Sequence, residues 1–336
     1  MDPRVAQPIS SASTPVPVLD VRDLRTHFSV GGRMLRAVDG VSFSVNPGET
    51  IGLVGESGSG KSVTALSLLQ LLPRTTPHVT AGSAMFGDVD LIKATAKRMR
   101  SVRGRKIALI FQDPMTSLNP MLTIGLQVTE GIRWHLRVSV REAHERAEHL
   151  LHQVGMADPR RVLHAYPHEL SGGMRQRVMI AIALSCEPSL LLADEPTTAL
   201  DVTIQAQILD LLRSLADERG LAMILITHNL GIVAGYTHRT YVMYAGEIVE
   251  EAPTQALFSK PRHPYTMGLL ESVPRLDRRM TGPLKPIKGS PPSPFDRGPG
   301  CPFAPRCPFA NSQSWESRPA LELVGPDHMV ACWVKP

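Results

Sequence analysis

A glycine-rich octapeptide constrains the fold of this chain more than any other feature of its sequence. Residues Gly55–Ser62 read GESGSGKS, and they lie between the apolar run Ile51–Val54 and a helical pattern over Val63–Leu72. In that context glycines let backbone N–H groups close around phosphates, a lysine adds positive charge and a serine hydroxyl can bind Mg²⁺. The octapeptide therefore predicts a phosphate-binding loop between a buried strand and a helix. Its residues are Gly55, Glu56, Ser57, Gly58, Ser59, Gly60, Lys61 and Ser62.

Short uninterrupted apolar runs recur along the chain. They lie at Ile51–Val54, Ile107–Phe111, Leu190–Ala193 and Met223–Ile226. Such runs are typical of strands that are buried on both faces in a parallel sheet covered by helices. Residues 18–24 and 37–45 instead alternate and end at a Pro-Gly turn, which predicts antiparallel strands. The sequence thus predicts an α/β fold of the P-loop NTPase type, with a mixed sheet core and an antiparallel β-subdomain.

The composition excludes several classes of protein. The chain has 336 residues, 43% of them hydrophobic, which fits about two domain-sized units and excludes a wholly disordered chain. Its apolar runs fall far short of the ~20 residues that a membrane span needs, and its N-terminal sequence lacks the pattern of a signal peptide. The net charge of +5 comes without a Lys/Arg block, so nucleic acid is not an expected partner. We therefore expect a cytosolic chain that reaches a membrane only through a partner.

A change in composition near Phe258 predicts the main division of the chain. From residue 259 onward lie 15 of the 29 prolines and three of the four cysteines. We expect a flexible tail over residues 1–17, an ATPase domain over 18–258 and a loop-rich extension over 259–336. Residues 114–170 are predicted to form an α-helical subdomain. One helix in it is predicted from the capping-box spacing at Ser139 and from an apolar stripe. The stripe consists of Val140, Ala143, Ala147, Leu150, Leu151 and Val154.

Two carboxylates follow directly on the apolar run Leu190–Ala193. Asp194 is placed to hold the water shell of Mg²⁺, and Glu195 to polarise a water that attacks a γ-phosphate. His228 ends the next apolar run, at the same edge of the predicted sheet, and could bind the γ-phosphate. Alone, an Asp-Glu pair is more often a solvated turn and a single histidine is usually structural. The interpretation therefore depends on the phosphate-binding loop.

A second anion site is predicted before the helical pattern Arg177–Leu184. Ser171, Gly172, Gly173 and Met174 offer free N–H groups at a helix N-terminus, although a serine cap with a glycine turn is common by itself. One nucleotide needs only one phosphate-binding loop. We therefore expect a head-to-tail dimer, in which this segment contacts the nucleotide held by the partner.

With these motifs in order, the sequence resembles the ATP-binding-cassette (ABC) ATPases, apart from Met174, where glutamine is commoner. The resemblance implies that ATP and Mg²⁺ are bound. It assigns Gln112, Glu195 and His228 to hydrolysis, Ser62, Gln112 and Asp194 to Mg²⁺, and Asp201 to the D-loop. It also places Phe28 where an aromatic ring stacks on adenine, although a buried strand phenylalanine is an equally good interpretation.

Within that superfamily, the chain resembles the ATP-binding subunits of oligopeptide, dipeptide and nickel importers. The resemblance lies in FQDPMTSLNP at 111–120, SGGMRQRVMIA at 171–181, HPYT at 263–266, GSPP at 289–292 and CPFAPRCP at 301–308. It implies an ATPase that energises peptide import, with nickel as the alternative solute. It also implies a second related ATPase or a second copy, a two-subunit permease and an extracytoplasmic solute-binding protein. The chain would then lie peripherally at the cytoplasmic face of the membrane.

Other ABC proteins fit less well. Those of DNA repair need a long coiled-coil insertion, and the segment 114–170 is too short and lacks sustained heptads. Translation factors carry two cassettes in one chain, whereas this sequence has one phosphate-binding loop. Exporters usually have a fused membrane domain. A transporter ATPase is therefore the expectation.

Three cysteines, Cys301, Cys307 and Cys332, lie in the proline-rich C-terminal segment. In a reducing compartment such cysteines more often bind metal than form disulfides. Similar importer subunits have a fourth cysteine where this chain has Ser314, and the resemblance implies an iron–sulfur site. Three outcomes stay open. They are a [4Fe–4S] cluster completed by Ser314 or solvent, a Cys₃His zinc site with His328, and no metal.

Overall fold

The computed structural model describes residues 16–73, 78–113, 117–198, 200–272, 286–295 and 297–334. Most of the predicted tail, residues 1–15, and the start of the predicted helical subdomain, residues 114–116, lie outside the described residues. The strands are β1 (Leu19–Val30), β2 (Arg33–Val45), β3 (Thr50–Val54), β4 (His78–Phe86), β5 (Val89–Asp90), β6 (Ile107–Ile110), β7 (Leu190–Asp194), β8 (Ala222–Thr227), β9 (Arg239–Tyr244), β10 (Glu247–Pro253), β11 (Glu322–Gly325) and β12 (His328–Val330).

The α-helices are α1 (Lys61–Leu68), α2 (Ala96–Val102), α3 (Ile124–Leu136), α4 (Val140–Gln153), α5 (Pro159–His164), α6 (Gly172–Leu184), α7 (Val202–Arg219), α8 (Leu230–Tyr236), α9 (Thr254–Ser259), α10 (Pro264–Glu271) and α11 (Ser312–Glu316). Short 3₁₀ turns lie at Pro167–Glu169 and Ala304–Arg306. Among the described residues, no helix is both long enough and apolar enough to cross a bilayer.

The strands form a mixed sheet beside an antiparallel one, as the sequence predicts. In the larger sheet the order is β11-β12-β10-β9-β3-β8-β7-β6, and β9, β3, β8, β7 and β6 run parallel. The smaller sheet has the order β2-β1-β4-β5, and its strands are antiparallel. The predicted α/β fold, with a mixed sheet core and an antiparallel subdomain, is confirmed.

Burial explains why the apolar runs became central strands. Every residue of β3, β7 and β8 is buried, so each strand has core on both faces. In the register of the parallel strands, Val54 lies opposite Thr227 and Asp194 opposite Ile226. The carboxyl ends of β3, β7 and β8 therefore meet at one edge of the sheet, and the loops that follow them share that edge.

The antiparallel strands are longer than the sequence predicts. The strands predicted over 18–24 and 37–45 extend in β1 and β2 to a hairpin at Gly31 and Gly32. Both glycines have positive φ, 57° and 75°, as a tight two-residue hairpin turn requires. The alternating pattern weakens toward this exposed tip, so it marks only the buried part of each strand.

Helix α4 follows the predicted stripe with two exceptions at its first turn. Ser139 is the N-cap, and its Oγ accepts a hydrogen bond of 3.2 Å from the Glu142 N–H. The Glu142 carboxylate accepts a hydrogen bond of 3.0 Å from Arg146, one turn further along the helix. Val140 is 53% exposed, whereas the remaining stripe residues are buried. The first turn of α4 thus lies beyond the edge of the helical core.

The C-terminal segment adds to the larger sheet. Strand β12 pairs with β10, with Glu250 opposite Val330, and β11 pairs with β12. Phe303 packs in one apolar cluster with Tyr244 of β9 and Tyr265 of α10. The division near residue 258 stays a prediction. Two strands beyond it, β11 and β12, belong to the sheet that carries the phosphate-binding loop.

Candidate nucleotide-binding site

The predicted phosphate-binding loop connects β3 to α1 and depends on two of its glycines. A Cβ on Gly55 would lie 2.1 Å from the Met243 carbonyl oxygen, and one on Gly60 would lie 2.4 Å from that of Ala37. Gly60 also has a φ of 106°, which L side chains rarely adopt. Strand β9 and strand β2 therefore press on the loop from two sides, and only glycine fits.

Lys61, at the first turn of α1, is buried within the loop. Its Nζ donates hydrogen bonds to the carbonyl oxygens of Gly55 at 2.9 Å and Glu56 at 3.0 Å. Burial lowers the pKa of Lys61, and the nearby carboxylates, first that of Glu195, act in the opposite direction. The ammonium is thus held on loop carbonyls in a site with an excess of negative charge.

A buried hydroxyl in the same loop fits a phosphate oxygen. Among the described residues, Ser59 Oγ has no hydrogen-bond partner, although its burial makes an unpaired hydroxyl costly. Its backbone N–H donates to the Glu56 carbonyl at 3.2 Å. A phosphate in the loop would offer an acceptor to Ser59 and to Lys61.

The predicted Mg²⁺ ligands Ser62 and Asp194 lie together. Ser62 Oγ donates a hydrogen bond of 3.0 Å to Asp194 Oδ1 at the end of β7. Burial raises the pKa of Asp194, as does the neighbouring charge of Glu195. A hydroxyl and a carboxylate oxygen are the hard ligands that Mg²⁺ takes beside phosphates and waters, so this pair fits the ion.

Glu195 is held by three side chains. Gln112 Nε2 donates to its Oε2 at 2.9 Å, Thr198 Oγ1 donates to the same oxygen at 3.0 Å, and His228 Nδ1 lies 2.8 Å from its Oε1. Burial raises the pKa of Glu195, but the hydrogen bonds from His228 and Thr198 outweigh it and leave the pKa below its ordinary value of 4.5. The carboxylate is therefore ionised and fixed in direction.

The backbone of Glu195 is also unusual. Its φ is 45°, in the left-handed region that non-glycine residues rarely adopt. Such a conformation costs on the order of 1–3 kcal/mol and persists where surrounding contacts enforce it. Here the Glu195 N–H donates to the Ile226 carbonyl at 2.9 Å, which fixes the turn after β7.

The structure brings Gln112 to Glu195 and not, by any described hydrogen bond, to the Ser62–Asp194 pair. Its predicted role as a Mg²⁺ ligand stays a prediction. Thr198, four residues after Asp194, belongs to the segment that resembles the D-loop, but its bond to Glu195 is not predicted from the sequence. The signal was available, since Thr198 lies in the turn that follows the two carboxylates.

Helix α6, which follows the predicted second anion site, starts earlier in the chain than predicted. The helix starts at Gly172 and not at Arg177, and Ser171 is its N-cap, accepting a hydrogen bond of 3.3 Å from the Met174 N–H. A Cβ on Gly173 would lie 3.0 Å from the Ile204 side chain of α7. Both glycines are thus helical residues, and Gly173 lets α7 approach closely. The N–H groups predicted to be free lie in the first turn of α6, and that of Met174 is bound by the Ser171 cap.

Asp201 and Phe28 lie in well-defined positions whose roles stay predictions. Asp201 is the N-cap of α7, and its Oδ1 accepts a hydrogen bond of 3.0 Å from the Ile204 N–H. Phe28 is half-buried on β1, and its ring centroid lies 5.7 Å from that of His78. Its half-burial leaves part of the ring face available to a ligand.

The geometry of the cysteine-rich segment gives no support to the predicted iron–sulfur or zinc site. Within the described ranges, no three His, Cys, Asp or Glu side chains are grouped to hold a metal ion. Ser314 Oγ donates to Asn311 Oδ1 at 2.9 Å, and His328 Nε2 lies 2.7 Å from Glu250 Oε1. The two candidates for a fourth ligand are therefore engaged elsewhere. Burial raises the pKa of Cys332 to about 11, and the nearby Cys301 and Cys307 act in the same direction.

Comparisons with known proteins agree with this geometry. The family described as ABC transporter matches residues 38–198, and the oligopeptide/dipeptide transporter C-terminal region matches residues 249–313. The probable peptide ABC transporter ATP-binding protein y4tR of Sinorhizobium fredii is 53% identical, over 94% of this chain and 94% of its own length. The oligopeptide transport ATP-binding protein AppD of Bacillus subtilis is 48% identical, over 94% and 96% respectively.

A solved structure supports the fold. The dimeric structure of a post-hydrolysis state of the ATP-binding cassette MJ0796, bound to ADP and Pi, is 27% identical, with a TM-score of 0.62. The match covers 70% of this chain and 98% of that chain. This chain therefore belongs to the ATPases that serve as ATP-binding subunits of ABC transporters, in the family that carries the oligopeptide/dipeptide transporter C-terminal region.

Proposed function

We propose that this chain hydrolyses ATP to energise the import of peptides through a membrane permease. The observation that carries the proposal is the position of Glu195, an ionised carboxylate fixed by three hydrogen bonds. It lies beside the Ser62–Asp194 pair and within electrostatic reach of Lys61. These are the parts that phosphoryl transfer to water requires.

Nucleotide binding would start at Lys61. Its Nζ now donates to the carbonyl oxygens of Gly55 and Glu56, and a phosphate would offer it a charged acceptor in their place. Ser62 and Asp194 would hold Mg²⁺, which neutralises charge on the phosphates when it is bound. Phe28 would contribute an aromatic face to adenine.

Hydrolysis would depend on Glu195. Its two carboxylate oxygens are oriented by Gln112 and Thr198 on one side and by His228 on the other. An oriented, ionised carboxylate can polarise a water and accept its proton. Gln112 lies in the loop after β6, just before the helical segment, so its hydrogen bond to Glu195 would link the site to that segment.

We further propose that two cassettes act together, either with a related second ATPase or with a second copy. Ser171 would then serve the nucleotide of the partner, and Asp201 would lie at the contact between cassettes. Met121, Leu126 and Trp134 are 81%, 48% and 72% exposed on or before α3 and suit contact with a two-subunit permease. An extracytoplasmic binding protein would deliver the solute, and the chain would lie at the cytoplasmic face of the membrane.

The domain division is part of the same proposal. Residues 18–258 would form the ATPase, with its helical subdomain over 114–170, and residues 259–336 the C-terminal extension. An iron–sulfur cluster or a zinc ion is no part of the proposed mechanism, because Cys301, Cys307 and Cys332 lie outside the residues that would hold ATP and Mg²⁺.

Peptides are preferred over nickel because the relatives y4tR and AppD are named for peptides and oligopeptides. The test is uptake into proteoliposomes that hold this chain, its permease and its second ATPase, with the binding protein outside. We expect ATP-dependent uptake of labelled peptides and none of nickel. Nickel uptake without peptide uptake would reverse the solute assignment. Uptake of either without ATP hydrolysis would refute the mechanism.

A further inference from the structure

Glu56, the second residue of the phosphate-binding loop, is bound at its three polar groups. Its carbonyl oxygen accepts the hydrogen bond of 3.0 Å from Lys61 Nζ. Its backbone N–H donates a hydrogen bond of 2.8 Å to the phenolic oxygen of Tyr265. Its carboxylate forms a bidentate ion pair with Arg306, at 2.7 Å and 3.0 Å. Two of these three partners lie beyond residue 258, in the C-terminal segment.

Arg306 is fixed from several directions. Only 4% of its side chain is exposed, and its Cζ lies over the rings of Tyr244 and Phe303, at 5.8 Å and 5.9 Å from their centroids. Its Nε donates to the Lys288 carbonyl at 3.1 Å. Its hydrogen bonds to Glu56 raise the pKa of Arg306. A buried guanidinium with this many contacts has little freedom to release the loop.

Tyr265 is fixed equally well. It is fully buried on α10, and its ring centroid lies 4.6 Å from that of Tyr244 and 5.4 Å from that of Phe303. Burial raises its pKa, so the hydroxyl stays neutral and can accept the Glu56 N–H. The phenol oxygen of Tyr265 thus provides the acceptor for the Glu56 N–H, which is bound before any phosphate enters the loop.

We infer that Arg306 and Tyr265 are positioning residues for nucleotide binding, through which the C-terminal segment preorganises the first turn of the phosphate-binding loop. When a phosphate draws Lys61 away from the Glu56 carbonyl, the loop loses an internal contact. The contacts of Glu56 with Arg306 and Tyr265 do not involve Lys61 and keep that turn in place. A loop fixed before binding loses less entropy when ATP binds. The inference rests on the proposed ATPase function.

Among the described residues of the C-terminal segment, the other ion pairs do not reach the loop. Arg318 binds Glu247 of β10 and lies 3.5 Å from Asp39 of β2. It ties the C-terminal segment to the two sheets, as Arg306 does, but its described contacts leave the phosphate-binding loop untouched. Arg318 therefore offers a matched control for Arg306, because both substitutions remove a guanidinium that anchors the same segment.

The test measures ATP hydrolysis by the full chain in its assembled transporter. We expect Arg306→Gln to raise the KM for ATP about tenfold and to leave kcat within twofold, because a coupled buried pair contributes about that much. Arg306→Lys, which keeps the charge and loses the fork, should raise KM by about threefold. Tyr265→Phe should also raise KM. The double variant Glu56→Gln/Arg306→Gln should be no worse than Glu56→Gln alone, because both act on one contact.

Binding of a fluorescent ATP analogue by the same variants separates the possible outcomes. Arg318→Gln should leave its affinity within twofold of the wild type. If Arg306→Gln behaves like Arg318→Gln, or lowers kcat with KM unchanged, the inference is wrong. If Arg306→Gln does not fold, as shown by thermal unfolding, Arg306→Lys and Tyr265→Phe decide in the same way. Equal binding by wild type and Lys61→Ala would instead refute the proposed function.

Discussion

The hydroxyl of Ser62 donates a hydrogen bond of 3.0 Å to Oδ1 of Asp194, although 132 residues separate the two. Strand order explains the contact. Ser62 follows β3 and Asp194 ends β7, and β8 lies between these strands and is parallel to both. In a parallel sheet, the loops at the carboxyl ends of neighbouring strands share a crevice. The site is therefore a direct consequence of the sheet order.

Replacing Glu195 with glutamine should separate binding from hydrolysis. The glutamine side chain keeps the size of the glutamate but cannot accept a proton from water. We expect Glu195→Gln to bind ATP and to slow turnover by about 10²–10⁴-fold, the usual contribution of a general base. Phosphate release by the assembled transporter measures turnover, and a fluorescent ATP analogue measures binding. Lys61→Ala is the matched comparison, since it should weaken binding itself. Unchanged turnover in Glu195→Gln would remove this residue from the mechanism.

The pH dependence of turnover should report the hydrogen bond from Thr198 to Glu195. The pKa of Glu195 is lowered from its ordinary value of 4.5. The ionised Glu195 therefore stabilises the folded protein above pH 4.5, and this stabilisation is lost as the pH falls through the pKa of the folded state. Thr198→Ala removes one of the bonds that lower this pKa. The acid limb of the pH–kcat profile should therefore move to higher pH, and kcat should fall about fivefold, the effect of one hydrogen bond.

Thr198→Ser supplies the control for that measurement. It keeps the hydroxyl that donates to Glu195 Oε2, so the acid limb should stay at its wild-type pH. A limb that moves equally in the serine and alanine variants would show that the methyl group matters and the hydrogen bond does not.

Asp194→Asn should stabilise the nucleotide-free protein while it impairs hydrolysis. Burial raises the pKa of Asp194 above its value in the unfolded chain. The ionised side chain therefore opposes folding at neutral pH. This cost grows as the pH rises from the unfolded-state pKa to the folded-state pKa. Removing such a charge typically adds about 0.5–2 kcal/mol to the free energy of unfolding. Denaturant unfolding at pH 7 measures the change. Asp201→Asn, at an exposed N-cap where asparagine serves equally, should change stability by less than about 0.5 kcal/mol. A destabilised Asp194→Asn would contradict the expected sign.

Gly60→Ala should destabilise the fold and abolish ATP binding. The added Cβ would lie 2.4 Å from the Ala37 carbonyl oxygen, at a φ of 106°. The conformation alone costs on the order of 1–3 kcal/mol, before the clash with β2 is counted. Gly235→Ala is the contrasting change, because a Cβ there, within α8, meets open space. That variant should be neutral or more stable by up to about 1 kcal/mol. Similar denaturation midpoints for the two variants would argue against the clash.

The sequence predicts those residues of the site that lie at strand ends or within recognisable motifs. Asp194, Glu195 and His228 each follow an apolar run, and parallel pairing of those runs brings them to one edge. The start of α6 was predicted five residues late, at Arg177 rather than at Gly172, because glycine has low helix propensity. What overrides propensity there is the approach of Ile204 to Gly173, a tertiary contact with no local signal.

Long-range contacts of residues outside the nucleotide-binding motifs are not predictable from the sequence. Arg306 reaches Glu56 across 250 residues, and it does so only because Tyr244, Tyr265 and Phe303 form a cluster that places it over the loop. Neither Arg306 nor its neighbours form a recognisable pattern with the phosphate-binding motif. Likewise, the hydrogen bond between His328 and Glu250 depends on the pairing of β10 with β12, which the cysteine spacing does not indicate.

Ser171 should matter for hydrolysis by the partner cassette and not for binding by its own chain. Its Oγ caps α6 at 3.3 Å from the Met174 N–H, and Ser139 caps α4 in the same way, at 3.2 Å from the Glu142 N–H. Replacing either serine with arginine removes a cap and should cost about 1 kcal/mol of stability. Only Ser171→Arg should place bulk and charge against the nucleotide of the partner. We expect Ser171→Arg to reduce ATP hydrolysis by the assembled transporter more than tenfold, with nucleotide binding by the variant chain itself retained. Ser139→Arg should keep wild-type turnover. Equal loss of turnover in the two variants would mean that the effect is one of helix stability, and the proposed head-to-tail contact would then be wrong.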